Sequence, residues 1–372
     1  MPEGVATRYI RLTLHTAMRK KVIKYMKAKR LTALLLSAVM AASLTGGCGG
    51  INKGASAAHF EDTDVELGLV NFIARYQQAS YDDIYKMYFN KGDDLWTADL
   101  YGNGSTMKDD LVNGVMDSLK NIYTLERHME EYQVTVSEQE LADIKAAAEQ
   151  FLADNSKKAI DAMGADQEYV EEYLRLSTIA AKMRKAMIAD VDKEVSDEEA
   201  KTGTFSYVRV EKASESDDAD SVSADMDALK EKVDQFAAEA KAGTLEDVAE
   251  DYEYTVSTAS FTADDDTFDE AVITALRSAK EGAVSDVIDT DTYYYVVRLD
   301  KEMDREATDA TKKSIVTERE TTLYDETLEG WKEDIAWTVD EKAVGTITFD
   351  NLFTTTAESS QSGSETATTE EE

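Results

Sequence analysis

The sequence predicts an α+β protein, mostly helical, with a small domain of mixed strand and helix between two helical stretches. Three observations carry that prediction. Apolar side chains recur every three and four residues through about 61–195 and again through about 305–337, the period of an amphipathic helix. Between those stretches, runs at 203–210, 255–262 and 292–299 are rich in β-branched and aromatic residues and read as strands. Pro2 is the one proline in 372 residues, so long helices run without a ring that lacks its N–H.

Length and composition narrow the chemistry. The chain is long enough for about two domains, and 42% of it is apolar. Cys48 is the single cysteine, which excludes a disulfide within the chain, a zinc knuckle and a CxxC redox pair. The histidines are His15, His59 and His128. Histidine-dependent nucleophilic catalysis and His-based metal sites are therefore excluded from everything after residue 128, and no cofactor or metal is expected. An EF-hand start at Asp217-Asp218-Ala219-Asp220-Ser221 fails, because counting from Asp218 the sixth position is Ser223 and the twelfth is Leu229.

Charge is uneven. The chain has 40 Lys and Arg against 76 Asp and Glu; nine of those bases and one acid, Glu3, lie in the first 47 residues, which leaves a formal charge of −44 on the rest. Such a field repels nucleic acid and anionic headgroups and tolerates basic clients. It also serves simply as a solvated, aggregation-resistant surface.

The N-terminus reads as an address. Residues 18–30 (MRKKVIKYMKAKR) are basic, 31–47 (LTALLLSAVMAASLTGG) are uncharged, and Cys48 follows. That order is a secretory signal peptide over 1–47; 17 residues including Ser, Thr and Gly fall short of the roughly 20 apolar residues that span a bilayer. Leu44-Thr45-Gly46-Gly47-Cys48 resembles the lipobox of bacterial lipoproteins, with Thr45 where that family usually has an aliphatic residue. The resemblance implies cleavage before Cys48, a diacylglycerol on its sulfur, and a mature chain anchored at the extracytoplasmic face of the bacterial membrane. Two acyl chains give stable anchoring where one gives marginal binding. Residues 48–60, with His59, are expected to be a flexible tether.

Residues 61–199 are expected to form a helical domain. One stripe runs Leu111, Val115, Leu119, Ile122, Leu125, Met129; a capping box at Ser137 and Glu140 opens a second helix carrying Leu141, Ile144, Ala148 and Phe151. A third stripe, Tyr169, Tyr173, Leu176, Ala180, Met183, Met187, is spaced 4-3-4-3-4. His128 is read as structural. Residues 200–302 form the mixed domain, with helices over about 224–242, 244–252 and 267–279 and a Ser/Asp-rich loop over 211–223. Residues 303–353 return to helix, with Tyr324, Leu328, Trp331 and Ile335 on one face, and 354–372 are a polar low-complexity tail that needs no fold.

The order of signal, helical segment, small α+β domain and C-terminal helix resembles the PrsA and SurA foldases. The resemblance covers nearly the whole exported chain. It implies one helical chaperone body made from the N-terminal helices and the C-terminal helix, with a parvulin-like antiparallel-sheet domain inserted. Phe205-Ser206-Tyr207-Val208-Arg209-Val210 matches the first parvulin strand. Phe268-Asp269-Glu270-Ala271, Leu276 and Glu281-Gly282-Ala283-Val284-Ser285 match the family's F-x-x-A, L and G-E-V-S positions, and Tyr293–Leu299 matches the last strand. The resemblance implies a prolyl isomerase pocket at Tyr207, Phe268 and Tyr295. It also implies unfolded or newly exported polypeptides as clients and leaves a homodimer through the helical body open. Two departures stand out. Tyrosines, Tyr207 and Tyr295, occupy the positions of both pocket histidines, and residues 257–267 (STASFTADDDT) replace a glycine-rich segment.

Prolyl isomerisation needs no covalent intermediate. It needs an apolar seat for the ring and hydrogen bonds that favour the twisted amide, and a neutral tyrosine hydroxyl both donates and accepts. Two readings follow: an isomerase working with tyrosines, or a domain kept for client binding. A solute-binding lipoprotein is the rival from another class. It requires two α/β lobes around a cleft, and residues 61–195 offer almost no strand pattern.

Overall fold

The computed structural model describes residues 51–61, 63–212 and 219–349, with short pieces at 40–41, 352 and 354–355, and the backbone alone at 40–41, 219–225 and 354–355. The chain divides into two compact units, the residues up to Lys182 with those from Asp334 onward, and Met183–Glu333. It is α+β, and every strand pairing among the described residues is antiparallel. That is not the alternation a two-lobed solute-binding protein requires.

The first unit is built on α1 (Leu67–Phe89). Nine consecutive residues, Leu67 to Arg75, are buried, so this end of the helix has no solvent face and is a core element. Around it lie α2 (Met107–Arg127), α3 (Glu138–Asp154), α4 (Lys157–Met163) and α5 (Gln167–Met187). Phe72, Phe151, Leu119, Met163 and Leu176 are all but inaccessible in the shared core. Truncating such a phenylalanine costs about 3–5 kcal/mol, whereas an exposed pair such as Lys157–Asp161 contributes about 0–1. The core therefore holds this unit together. Two buried polar groups of α1 close off α4: Asn71 Nδ2 donates to Met163 O (3.0 Å) and Arg75 Nε to Ala162 O (3.3 Å), carbonyls that the end of a helix leaves without partners. Gly68 lets the Tyr169 ring lie against α1, since a Cβ there would stand 2.2 Å from its hydroxyl.

Two expectations for this unit change. The tether ends in a strand: β2 (Ser56–Phe60) pairs with β3 (Thr63–Glu66) on one side and with β8 (Trp337–Val339) on the other. A bulge between Ser56 and Ala58 turns two successive alanines, Ala57 and Ala58, into the core. A two-residue pairing, β1 (Met40–Ala41) with β9 (Thr354–Thr355), completes the described strands of this unit. The C-terminal helix, here α9 (Arg305–Glu333), stops short of 337 and groups with the second unit. What packs on the first core is the segment after it, with Ile335, Trp337, Val344, Ile347 and Phe349. A strand needs no long stripe, so three residues of β8 left no period to read. The stripes also shift: Leu141 is 44% exposed, while Val112, Met116 and Tyr123 share the buried face of α2.

The second unit is a four-stranded sheet ordered β5 (Ser257–Phe261), β4 (Gly203–Glu211), β7 (Tyr293–Lys301), β6 (Ile288–Asp289). Side chains alternate between faces along a strand. Val208, Tyr294 and Val296 therefore meet α6 (Ala219–Ala242) and α7 (Leu245–Asp251), while Phe205, Tyr295, Val297 and Leu299 meet α8 (Glu270–Ser278). Both ends of the expected loop 211–223 lie in regular elements, since β4 runs to Glu211 and α6 begins at Ala219; residues 213–218 lie outside the described residues. The start of α9 belongs here too: Asp304 N donates to Thr202 O (2.8 Å), and fully buried Thr308 accepts from Thr202 N (3.3 Å).

The capping box at Ser137 forms. Glu140 accepts from Ser137 N and from Lys182 Nζ, both at 2.8 Å. Lys182, and then the Ser137 donors, hold this carboxyl at about 2, below its usual 4.5. The folded state stays ionised to lower pH than the unfolded chain, so the stabilisation is present above about pH 4.5 and is lost as pH falls towards 2. Glu140→Gln is expected to lower stability by about 1 kcal/mol at pH 7, the pair being partly exposed and screened. The deficit should shrink steadily between pH 4.5 and pH 3 in urea unfolding; a pH-independent deficit would rule out the ionic contribution.

Candidate functional site

Tyr207, Phe268 and Tyr295 come together on one face of the four-stranded sheet. Tyr207 on β4 faces Val297 on β7, and Tyr295 faces Arg209. The two tyrosines are thus diagonal neighbours, with ring centroids 6.1 Å apart. The Phe268 ring stands edge-on to Tyr207 at 5.5 Å and to Phe205 at 5.1 Å. Edge-to-face aromatic pairs at such spacings add about 0.5–1.5 kcal/mol beyond area burial. Phe268 is held by the turn before α8, where Thr267 N donates to Asp265 Oδ1 (2.8 Å). This places one of the three successive aspartates, Asp264 to Asp266, in a turn role.

The three side chains are not equally accessible. Tyr295 is 4% exposed, whereas Tyr207 and Phe268 are half-buried. Burial, and after it the Asp269 carboxylate, raise the Tyr295 hydroxyl above the usual tyrosine value, against the lowering influence of the Arg209 guanidinium. That hydroxyl therefore stays protonated well above neutral pH. The cluster is a partly open aromatic seat with tyrosine hydroxyls beside it. It can stack on an apolar ring and offer hydrogen bonds, and it holds no imidazole.

Three members of this face were not singled out from sequence: Phe205 beneath the cluster, Tyr293, 5.9 Å from Tyr295, and Arg209, whose guanidinium lies 5.2 Å over the Tyr293 ring. Their signal was available as period 2, since Phe205 and Arg209 flank Tyr207 by two residues and Tyr293 precedes Tyr295 by two. On the opposite face Arg298 joins Glu246 (2.6 Å), Asp300 (2.7 Å) and Ser206 (3.2 Å), tying α7 to both central strands.

The first unit carries a cleft of about 1110 Å³ that sequence reasoning missed. Phe60, Leu69, Tyr123, Leu141, Ile144 and Tyr169 supply its apolar lining. Arg175 lies between Glu126 and Glu172, with Nε 2.7 Å from Glu172, and both carboxylates keep its guanidinium charged. Tyr169 donates to Glu66 (2.8 Å). Burial is the first cause that raises the Tyr123 and Tyr169 hydroxyls, with neighbouring glutamates adding to it. His59 pairs with Asp64, and His128 with Glu131 at 2.7 Å. Among the described residues no three His, Cys, Asp or Glu side chains converge as a metal site, and no helix is long and apolar enough to cross a membrane. Cys48, most of the 1–47 segment and the tail beyond 355 lie outside the described residues.

Residues 198–313 match the PPIC-type PPIASE domain. The match extends beyond the expected 200–302 into α9, in keeping with the Thr202–Thr308 contact. No curated protein matches the chain. Similar solved structures include the foldase PrsA of Streptococcus pneumoniae (18% identity over 68% of this chain and 100% of that one, TM-score 0.28) and the foldase PrsA of Lactococcus lactis (14%, 79% and 97%, TM-score 0.31). Another comes from a study of PEB4 and Cj1289, described as SurA-like chaperones of Campylobacter jejuni (12%, 77% and 99%, TM-score 0.26).

Proposed function

We propose that this chain, whose residues 198–313 form a PPIC-type domain, is an extracytoplasmic foldase. In this reading a helical unit holds unfolded exported polypeptide and the PPIC-type domain acts on prolyl bonds. The observation that carries it is the coincidence of that domain match with the aromatic seat, where Tyr207, Phe268 and Tyr295 meet on one sheet face. Phe268 and Tyr207 receive the prolyl ring, and a tyrosine hydroxyl hydrogen-bonds the amide as it twists. Differential stabilisation of the twisted amide is what accelerates rotation, and the uncatalysed step takes tens to hundreds of seconds. The near-complete burial of Tyr295 favours a second reading, in which the seat only grips proline-containing segments.

A protease-coupled assay with Xaa-Pro peptides separates the two. The full chain in detergent is expected to accelerate isomerisation, and Phe268→Ala to reduce the acceleration at least tenfold. The rate should be flat from pH 6 to pH 9, because the raised Tyr295 hydroxyl remains protonated over that range and no histidine follows His128. No acceleration by folded protein would leave the binding role alone.

The proposal includes a lipid on Cys48 and residence on the outer face of the bacterial membrane, supported by the basic, uncharged and Cys-containing run 18–48. Cys48→Ser is expected to abolish palmitate labelling in a bacterial host and release the chain from membranes. Undiminished labelling of the variant would overturn the anchor.

A further inference from the structure

The cleft of the first unit opens between β3, the C-terminal half of α2, and the facing sides of α3 and α5. At about 1110 Å³ it is at or above the size of a small-molecule pocket, for which roughly 300–1,000 Å³ is usual. Its floor is apolar, with Phe60, Leu69, Tyr123 and Ile144 each less than a tenth exposed, and its wall carries Leu141 with 44% of its surface in solvent.

The charge around this floor is one-sided. Six carboxylates line it, from Asp64, Glu66, Glu126, Glu168, Glu171 and Glu172, against three cations, Arg127, Lys145 and Arg175. Arg175 is matched by Glu126 and Glu172, and Arg127 by Glu61 outside the lining, which leaves Asp64, itself meeting His59, with Glu66, Glu168 and Glu171 against Lys145. An anionic occupant is disfavoured, and so is a second copy of a chain that carries −44 after its first 47 residues. A cation on a long apolar stem suits the cleft, because lysine and arginine bury their methylenes and keep the charged head among acceptors.

We infer that this cleft holds an extended segment of unfolded polypeptide that bears lysine or arginine next to an apolar or aromatic residue. The inference deepens the foldase reading and rests on it: it names the client class of the helical unit. The apolar floor supplies affinity for any unfolded chain, and the carboxylates select among chains, as charge complementarity sets specificity and encounter rate more than raw affinity. Glu168 on α5 is exposed, and Glu171, which accepts from Gln167 Nε2 (2.5 Å), lies one turn along the same helix.

The test uses the full chain in detergent and two fluorescein-labelled twelve-residue peptides with the same leucines and phenylalanines, one carrying three arginines and the other three glutamates. Anisotropy is expected to show the arginine peptide bound at least tenfold more tightly at 50 mM salt, with the preference reduced at 300 mM. Glu168→Lys with Glu171→Lys should weaken the arginine peptide at least tenfold, and Glu168→Gln with Glu171→Gln should weaken it less while keeping the native fold. Helix content by circular dichroism confirms folding, and suppression of aggregation of a denatured protein is measured alongside. Equal affinity for the two peptides, or an arginine peptide indifferent to both double substitutions, while aggregation is still suppressed, overturns the cleft inference and leaves the foldase reading standing. Loss of all suppression by folded wild-type chain overturns the foldase reading and this inference with it.

Discussion

Strand β7 has no solvent face in its centre, and the second unit is organised around that constraint. Tyr294, Val296 and Val297 are buried with Tyr295 and Leu299, so both surfaces of the strand must be covered. Alternation sends the even positions to α6 and α7 and the odd positions to α8 and the Phe268 turn. An antiparallel sheet commonly leaves one face to water; here two helical layers are required instead. The aromatic seat is a consequence. It lies where the odd-numbered face of β7 meets the odd-numbered face of β4, at the edge of the α8 cover, where Tyr207 and Phe268 stay half-exposed.

The first unit meets a different constraint with the same logic. The buried end of α1 must find partners on all sides, and α2, α3, α4, α5 and the small sheet provide them. One polar set caught inside is satisfied in place: Trp96 Nε1 donates to Asp82 at 2.6 Å, and Asp82 in turn meets Lys86 at 2.8 Å. The cleft lies beside the buried end of α1. Leu69, one of its apolar residues, belongs to the buried part of α1, while its carboxylates come from β3, α2 and α5.

Much of the fold was legible because it is periodic. The strand runs at 203–210 and 292–299, the Ser137 box and the stripe ending in Met183 and Met187 all lie where local pattern places them, and tyrosines in strands are read easily. Elements defined by distant partners were not legible. Ala57 and Ala58 have little strand preference and are drawn into β2 by β8, which lies more than 270 residues later. Two-residue β6 carries no period at all. In the seat, Tyr207, Phe268 and Tyr295 were named from resemblance. Arg209 was passed over because an exposed arginine on a strand looks like an ordinary surface residue until the register sets it opposite Tyr295. The cleft had no local signature, since Phe60, Tyr123, Leu141 and Tyr169 sit in four separate elements.

In the proposed function the half-exposed edge of this aromatic cluster receives the prolyl ring. Aromatic-ring NMR of the full chain, titrated with an Ala-Pro-containing peptide, addresses that directly. The Tyr207 and Phe268 ring signals are expected to shift together and saturate, while Tyr252 and Tyr254, packed with Phe236 in the core on the other face of the sheet, stay in place. Shifts confined to Tyr252 and Tyr254, or absent from Tyr207 and Phe268 at saturating peptide, would contradict the proposed function.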